Sequence, residues 1–183
     1  MKKRILGRTG LEVSAIGFGG IPIQGVSDAE ADAIVGAALD SGITLFDSAR
    51  GYTDSEAKLG RALAGVGGEI VVATKTMART AAAMAADIET SLRNLKRDAI
   101  DLYQLHNVAS DDVLSQVLAP GGAYEAMDRA RRDGKIRFIG VTGHSRAVLL
   151  RAVETELFDT VQHPYNPLEP EWRSPGLPPA RHR

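Results

Sequence analysis

Short apolar runs that end in a polar residue recur along the chain at intervals of about thirty positions. Ile43–Phe46 ends in Asp47, Ile70–Thr74 in Lys75, Ile100–Leu105 in His106, and Ile136–Val141 in Thr142. Brief runs rich in Val, Ile and Thr predict buried strands. Between them the apolar positions fall at helical spacing. Ser27 and Glu30 have capping-box spacing, and Ala31, Ile34, Val35, Ala38 and Leu39 follow at helical period up to Gly42. Thr53 and Glu56 repeat that spacing before a short helix through Leu59 and Leu63. Met84, Ile88, Leu92 and Leu95 form a third stripe. A fourth begins at Val113, is broken by Pro120-Gly121-Gly122, and resumes through Tyr124 and Met127 to Gly134. Ser145 opens a fifth helix, and Thr160-Val161-Gln162 is a sixth strand.

Alternation of strand and helix predicts parallel strands joined by crossover helices. An open doubly wound sheet would place GxGxxG after its first strand. Here Gly17-Phe18-Gly19-Gly20-Ile21-Pro22 has no third glycine in register. The intervals between the polar strand ends are 28, 31 and 36 residues. A (β/α)8 barrel of ~250 residues repeats about every 31. The spacing therefore favours an α/β barrel of the TIM type, preceded by a short N-terminal β-hairpin. Only about six of the eight strands are expected in 183 residues. Six prolines lie between Pro164 and Pro179, which predicts an irregular tail. The expected division is residues 1–168 as a partial barrel and residues 169–183 as a Pro/Arg-rich tail.

Composition adds mainly exclusions. Apolar residues make up 44% and charged residues 25%, with a net charge of -1. That balance gives no electrostatic reason to expect nucleic acid or an anionic membrane. Without cysteine there are no disulfides and no thiolate metal sites or nucleophiles. The basic start Met1-Lys2-Lys3-Arg4 is interrupted by Gly7, Arg8 and Gly10 rather than followed by a long apolar core, so no signal peptide is expected. No run approaches the ~18 apolar residues of a membrane span. A cytoplasmic location is the default expectation.

Parallel strands would bring Asp47, Lys75, His106 and Thr142 to one rim, with Tyr52 in the loop just past the first. Taken singly, each has a structural role to hand: a strand-end Asp caps a turn, a Tyr packs, a Lys is solvated. Together they are a carboxylate, a phenol, an ammonium and an imidazole at the end of a barrel where chemistry is performed. A metal-dependent hydrolase with His106 and Asp47 as ligands would need a paired-His strand motif that is absent. His144, His163 and His182 form no ligand spacing either, and no metal is expected.

Six ordered segments resemble the aldo-keto reductase family: Leu6-Gly7-Arg8-Thr9-Gly10-Leu11, Phe46-Asp47-Ser48-Ala49, Gly51-Tyr52-Thr53-Asp54-Ser55-Glu56, Ala73-Thr74-Lys75, Asp101-Leu102-Tyr103-Gln104-Leu105-His106 and Ile139-Gly140-Val141-Thr142-Gly143-His144. The resemblance runs from about residue 4 to residue 168. It implies a (β/α)8 barrel that binds NADPH or NADH and reduces an aldehyde or ketone. It also implies a catalytic tetrad of Asp47, Tyr52, Lys75 and His106. A free phenol has a pKa near ~10, high for an acid at neutral pH, and a neighbouring ammonium lowers such a value. In that scheme Tyr52 gives the proton, Lys75 stabilises the phenolate, Asp47 holds Lys75, and His106 orients the carbonyl oxygen or shares in proton transfer. On the cofactor side the resemblance implies Gly19, Gly20, Asp47, Thr142, Gly143 and Gln162. Thr142-Gly143 stands where many members have Ser-Asn, and Gly143 leaves only backbone there.

The closest subgroup by motif often carries a C-terminal iron–sulfur segment, which a chain without cysteine cannot hold through thiolates. Nothing in the sequence matches the family's last two strands, with their stacking aromatic and phosphate-binding basic residues. From about Trp172 onward the chain is expected to be a frameshifted or prematurely ended reading frame. Two functional expectations follow: a carbonyl reductase acting on a small molecule, its activity in doubt if shortened, or a non-catalytic barrel fragment serving as a binding or regulatory module. Channel subunits within the family are a precedent for the second. The substrate and the oligomeric state are not legible.

Overall fold

A computed structural model of the chain describes residues 1–166. The proposed tail and Trp172 lie outside the described residues.

Two strands form an antiparallel hairpin, β1 (Lys3–Ile5) and β2 (Glu12–Ser14). Six more form a single parallel sheet in sequential order: β3 (Phe18–Gly19), β4 (Leu45–Asp47), β5 (Val71–Thr76), β6 (Ile100–Leu105), β7 (Ile136–Thr142) and β8 (Thr160–Gln162). Six helices connect or flank them: α1 (Asp28–Asp40), α2 (Ser55–Ala62), α3 (Ala81–Leu95), α4 (Asp111–Leu118), α5 (Ala123–Arg132) and α6 (Arg146–Glu154). The sheet is curled, and the result is a half-barrel of the (β/α)8 type with a small hairpin, as the spacing predicts.

Helix boundaries follow local chemistry. The Ser27 hydroxyl accepts the Glu30 N–H while the Glu30 carboxylate accepts the Ser27 N–H, a complete capping box. α1 stops at Gly42, whose φ of 80° suits a residue without Cβ. Pro120-Gly121-Gly122 separates α4 from α5 as expected. The second capping box does not form. α2 is preceded by Asp54 with no side-chain cap, and Thr53 takes φ 39°. Glu56 instead turns into the interior and is 1% exposed. Spacing alone could not distinguish a carboxylate folding back on its own helix end from one buried against neighbouring elements.

Alternation within each strand separates two environments. Val72, Thr74, Tyr103, Leu105, Ile139 and Val141 are buried. Of these, Thr74 and Tyr103 bond side chains of α2 and α3, which marks this face as the one under the helices. Met84 and Ile88 of α3, Met127 of α5 and Leu149 of α6 join the same apolar core. The opposite set, Asp47, Lys75, Gln104 and Gln162, meets on the concave side. At the far end the hairpin docks under the sheet. Ser14 and Thr44 exchange backbone-to-hydroxyl bonds of 2.8 and 2.9 Å. Arg8 donates to the carbonyls of Glu156 and Phe158 at 2.6 and 2.9 Å, just before β8.

Candidate active site at the carboxyl rim

The rim is assembled by strand register. β4 pairs with β5 so that Asp47 lies opposite Ala73, two residues before Lys75 on the same face. The Lys75 ammonium reaches back to Asp47 Oδ2 at 2.5 Å and to the Ser48 carbonyl at 2.8 Å. Lys75 is 4% and Asp47 19% exposed at the side chain. Burial pushes the Asp47 carboxyl above the usual carboxylate range, against the opposing pull of Lys75. The second oxygen, Oδ1, accepts from Gln104 Nε2 at 3.2 Å. The same nitrogen lies 3.5 Å from Gln162 Oε1. Gln104 therefore links β4 to β8 across the concave face. It lies against Gly140 of β7, where a Cβ would stand 2.9 Å from Gln104 Cγ.

Tyr52 sits in the loop between β4 and α2. Its ring centre is 4.9 Å from Lys75 Nζ. Its edge meets the His106 ring with centroids 5.9 Å apart and planes at 89°. His106 follows β6 and is anchored through its backbone to the Thr76 carbonyl at 2.9 Å. Arg79 secures the next turn, donating to the carbonyls of His106 and Asn107 at 2.7 and 2.9 Å. His106 Nδ1 is buried without a hydrogen-bond partner. Burial, and then the positive charges of Lys75 and Arg79, push the imidazole down to about 4, so it is neutral at pH 7.

All nine sequence candidates line one cleft of about 360 Å3: Gly19, Gly20, Asp47, Tyr52, Lys75, His106, Thr142, Gly143 and Gln162. Ile21, His144, His163 and Pro164 complete its wall. The glycines are not equivalent. Gly20 is packed, and a Cβ there would stand 2.4 Å from Ser55 Oγ and 3.1 Å from the Asp47 carbonyl. Around Gly19 nothing stands within 4 Å of that position, which leaves open space in the cleft wall. At Gly143 a Cβ would lie 2.8 Å from the Val108 carbonyl. That is the physical reason position 143 offers backbone alone. The Thr142 hydroxyl accepts the Asn107 N–H at 2.9 Å, so it also braces the His106 loop.

Four further residues shape the site and were not among the sequence candidates: Gln104, Arg79, Arg50 and Glu56. A signal existed for Gln104, a lone amide on the concave face of a buried strand in register with His106. The other three act through tertiary contacts that no spacing records.

A curled parallel sheet with polar side chains gathered at its carboxyl edge defines a barrel of the TIM enzyme class. Comparison with known proteins narrows the class. Residues 15–176 match the model of the aldo/keto reductase family. The chain is 35% identical to the aldo-keto reductase YhdN of Bacillus subtilis, covering 94% of this chain and 56% of that protein. It is 33% identical to L-galactose dehydrogenase of Arabidopsis thaliana, covering 76% and 48% respectively. A solved aldo-keto reductase from Pseudomonas aeruginosa superimposes with a TM-score of 0.81 at 30% identity, covering 91% of this chain and 69% of that one. The chain belongs to the aldo/keto reductase family. It spans about half the length of the curated relatives it matches.

Along the concave rim Gly19 leaves open space, Gln162 presents a side-chain amide and Gly143 presents only its backbone. No helix among the described residues is long and apolar enough to cross a membrane.

Proposed function

We propose that the chain carries the catalytic half of an NAD(P)H-dependent reductase that converts an aldehyde or ketone into an alcohol, with Tyr52 as proton donor. The observation that carries this reading is the convergence of Asp47, Lys75, Tyr52 and His106 from three strands and a loop onto one cleft. The bound nicotinamide would supply a hydride to the carbonyl carbon. Gly19, Gly20, Gly143 and Gln162 would hold that end of it, with Asp47 and Thr142 beside them.

The chain's own groups manage the charge that develops on the carbonyl oxygen. Tyr52 donates its phenolic proton to that oxygen. Lys75, whose nitrogen is 4.9 Å from the ring centre, stabilises the phenolate left behind. Asp47 fixes the ammonium through a 2.5 Å contact, and Gln104 holds the other carboxylate oxygen. His106 is a neutral imidazole at pH 7, suited to orienting a carbonyl oxygen rather than neutralising it. Its Nδ1 is buried and makes no hydrogen bond. Specificity in barrels resides in loops.

Purified chain, NADPH and an aromatic aldehyde provide the test, with turnover followed by loss of nicotinamide absorbance. Wild type should turn over and Tyr52→Phe should lose about 10²-fold or more in rate, with cofactor binding retained. Full activity in Tyr52→Phe would remove Tyr52 from the donor role. Absence of both cofactor binding and turnover in wild type would favour a non-catalytic barrel module.

A further inference from the structure

Arg50 lies two positions before Tyr52, in the loop between β4 and α2, and is not part of the cleft wall. Its Nη1 donates to Glu56 Oε2 at 2.7 Å, and its buried Nε makes no hydrogen bond but forms an ion pair with Asp87 Oδ1 at 3.6 Å. Both carboxylates are themselves tied down. Glu56 also accepts from Thr74 at 2.8 Å, Ser91 at 2.7 Å and Asn94 at 3.0 Å. Asp87 accepts the Thr76 hydroxyl. A further titratable group beside this cluster is the Tyr103 hydroxyl, 3.2 Å from Ser91 Oγ. The backbone leading to Arg50 is equally fixed. Ser48 N donates to the Ala73 carbonyl at 2.9 Å, and Arg50 N to the Lys75 carbonyl at 2.8 Å.

Among the described residues Tyr52 itself has only local backbone hydrogen bonds: its N–H to Ala49 at 3.0 Å, and its carbonyl from Ser55 at 2.8 Å. Its position over Lys75 therefore depends on what anchors the preceding loop. A buried ion pair is a poor device for stability alone, because apolar residues of similar volume often do as well or better. A planar guanidinium between two fixed carboxylates is a good device for orientation.

We propose that Arg50 is a positioning residue for Tyr52, pinned by Glu56 and Asp87 so that the phenol stays over Lys75 and beside His106. The proposal rests on Tyr52 as proton donor for its kinetic consequence, but not for its structural one.

The full chain, labelled with meta-fluorotyrosine, separates the two. Four tyrosines give four fluorine signals, and loss of one in Tyr52→Phe assigns Tyr52. Arg50→Met should shift and broaden the Tyr52 signal while leaving Tyr124 and Tyr165 in place. In the turnover assay it should lower kcat by about 10²-fold with KM unchanged, and Arg50→Lys should restore part of both. Asp87→Asn, a change at a half-buried site, should give a smaller displacement of the same signal and serves if Arg50→Met does not fold. An unmoved Tyr52 signal in these variants, with only a lower Tm, would overturn the proposal. If wild type shows no turnover, the donor reading fails while the fluorine spectra still decide the positioning role.

Discussion

The Lys75 ammonium nitrogen stands 4.9 Å from the centre of the Tyr52 ring, close enough to act on charge developing there. Its other contacts, Asp47 and the Ser48 carbonyl, are both made by residues at or just past the end of β4. Lys75→Met should therefore affect rate and stability together. The rate should fall by about 10²-fold or more. Unfolding in urea should show a loss of roughly 1–3 kcal/mol, because Asp47 loses its ion partner but keeps some contact with solvent. Asp47→Asn in the same background should recover part of that stability and none of the rate. Losses that simply add in the double variant would show that the pair does not act as a unit.

His106 gives a pH signature. Its folded value of about 4 lies below the ordinary histidine value of about 6.5. Between these values the unfolded chain binds the proton and the folded chain does not. Stability contributed by keeping this imidazole neutral is thus complete above about pH 6.5 and is lost as pH falls towards 4. Relative to His106→Gln, wild type should lose about 1–3 kcal/mol between pH 7 and pH 4. Parallel stability curves for the two proteins would contradict the depressed value.

The two glycines of the cleft wall should part company. Gly19→Ala meets open space, so Tm should hold while NADPH affinity falls if this wall receives the nicotinamide. Gly20→Ala would force Ser55 Oγ away from the Gly20 carbonyl, to which it now donates at 2.9 Å. That should cost about 1–3 kcal/mol. Cofactor fluorescence titration and thermal unfolding of both variants check the contrast. Undiminished NADPH binding in Gly19→Ala would remove that residue from the binding surface.

A purely architectural prediction concerns Gly60. A Cβ there would stand 2.2 Å from the Asn94 carbonyl and 2.6 Å from Leu95 C, at the crossing of α2 and α3. Backbone cannot yield as a flexible side chain does. Gly60→Ala should lose about 1–3 kcal/mol or more, which for a chain of this size lowers Tm by several degrees. Unchanged Tm would mean that the two helices separate freely.

Much of this fold was legible because each strand is a short apolar run and each concave polar residue recurs at nearly constant spacing. The regularity of that spacing predicted Asp47, Lys75 and His106 on one rim before any contact was seen. Gly19, Gly20, Thr142, Gly143 and Gln162 line the same cleft. What escaped the reading was tertiary. Glu56 obeys the capping-box pattern yet binds Arg50, Thr74, Ser91 and Asn94, because its helix begins one residue later and presents it to α3 and β5. Arg79 looks like any loop cation until the His106 turn is folded against it. Such residues respond to neighbours distant in sequence, and periodicity holds no record of those neighbours.

Gly140 carries no functional group, yet the space above it is where Gln104 lies while reaching Asp47 and Gln162. An added methyl there would also come within 2.4 Å of Thr160 Oγ1. The amide network on the concave face thus imposes a vacancy on β7. A substitution at Gly140, the smallest residue on β7, would act on the rim entirely through the volume that this residue leaves unfilled.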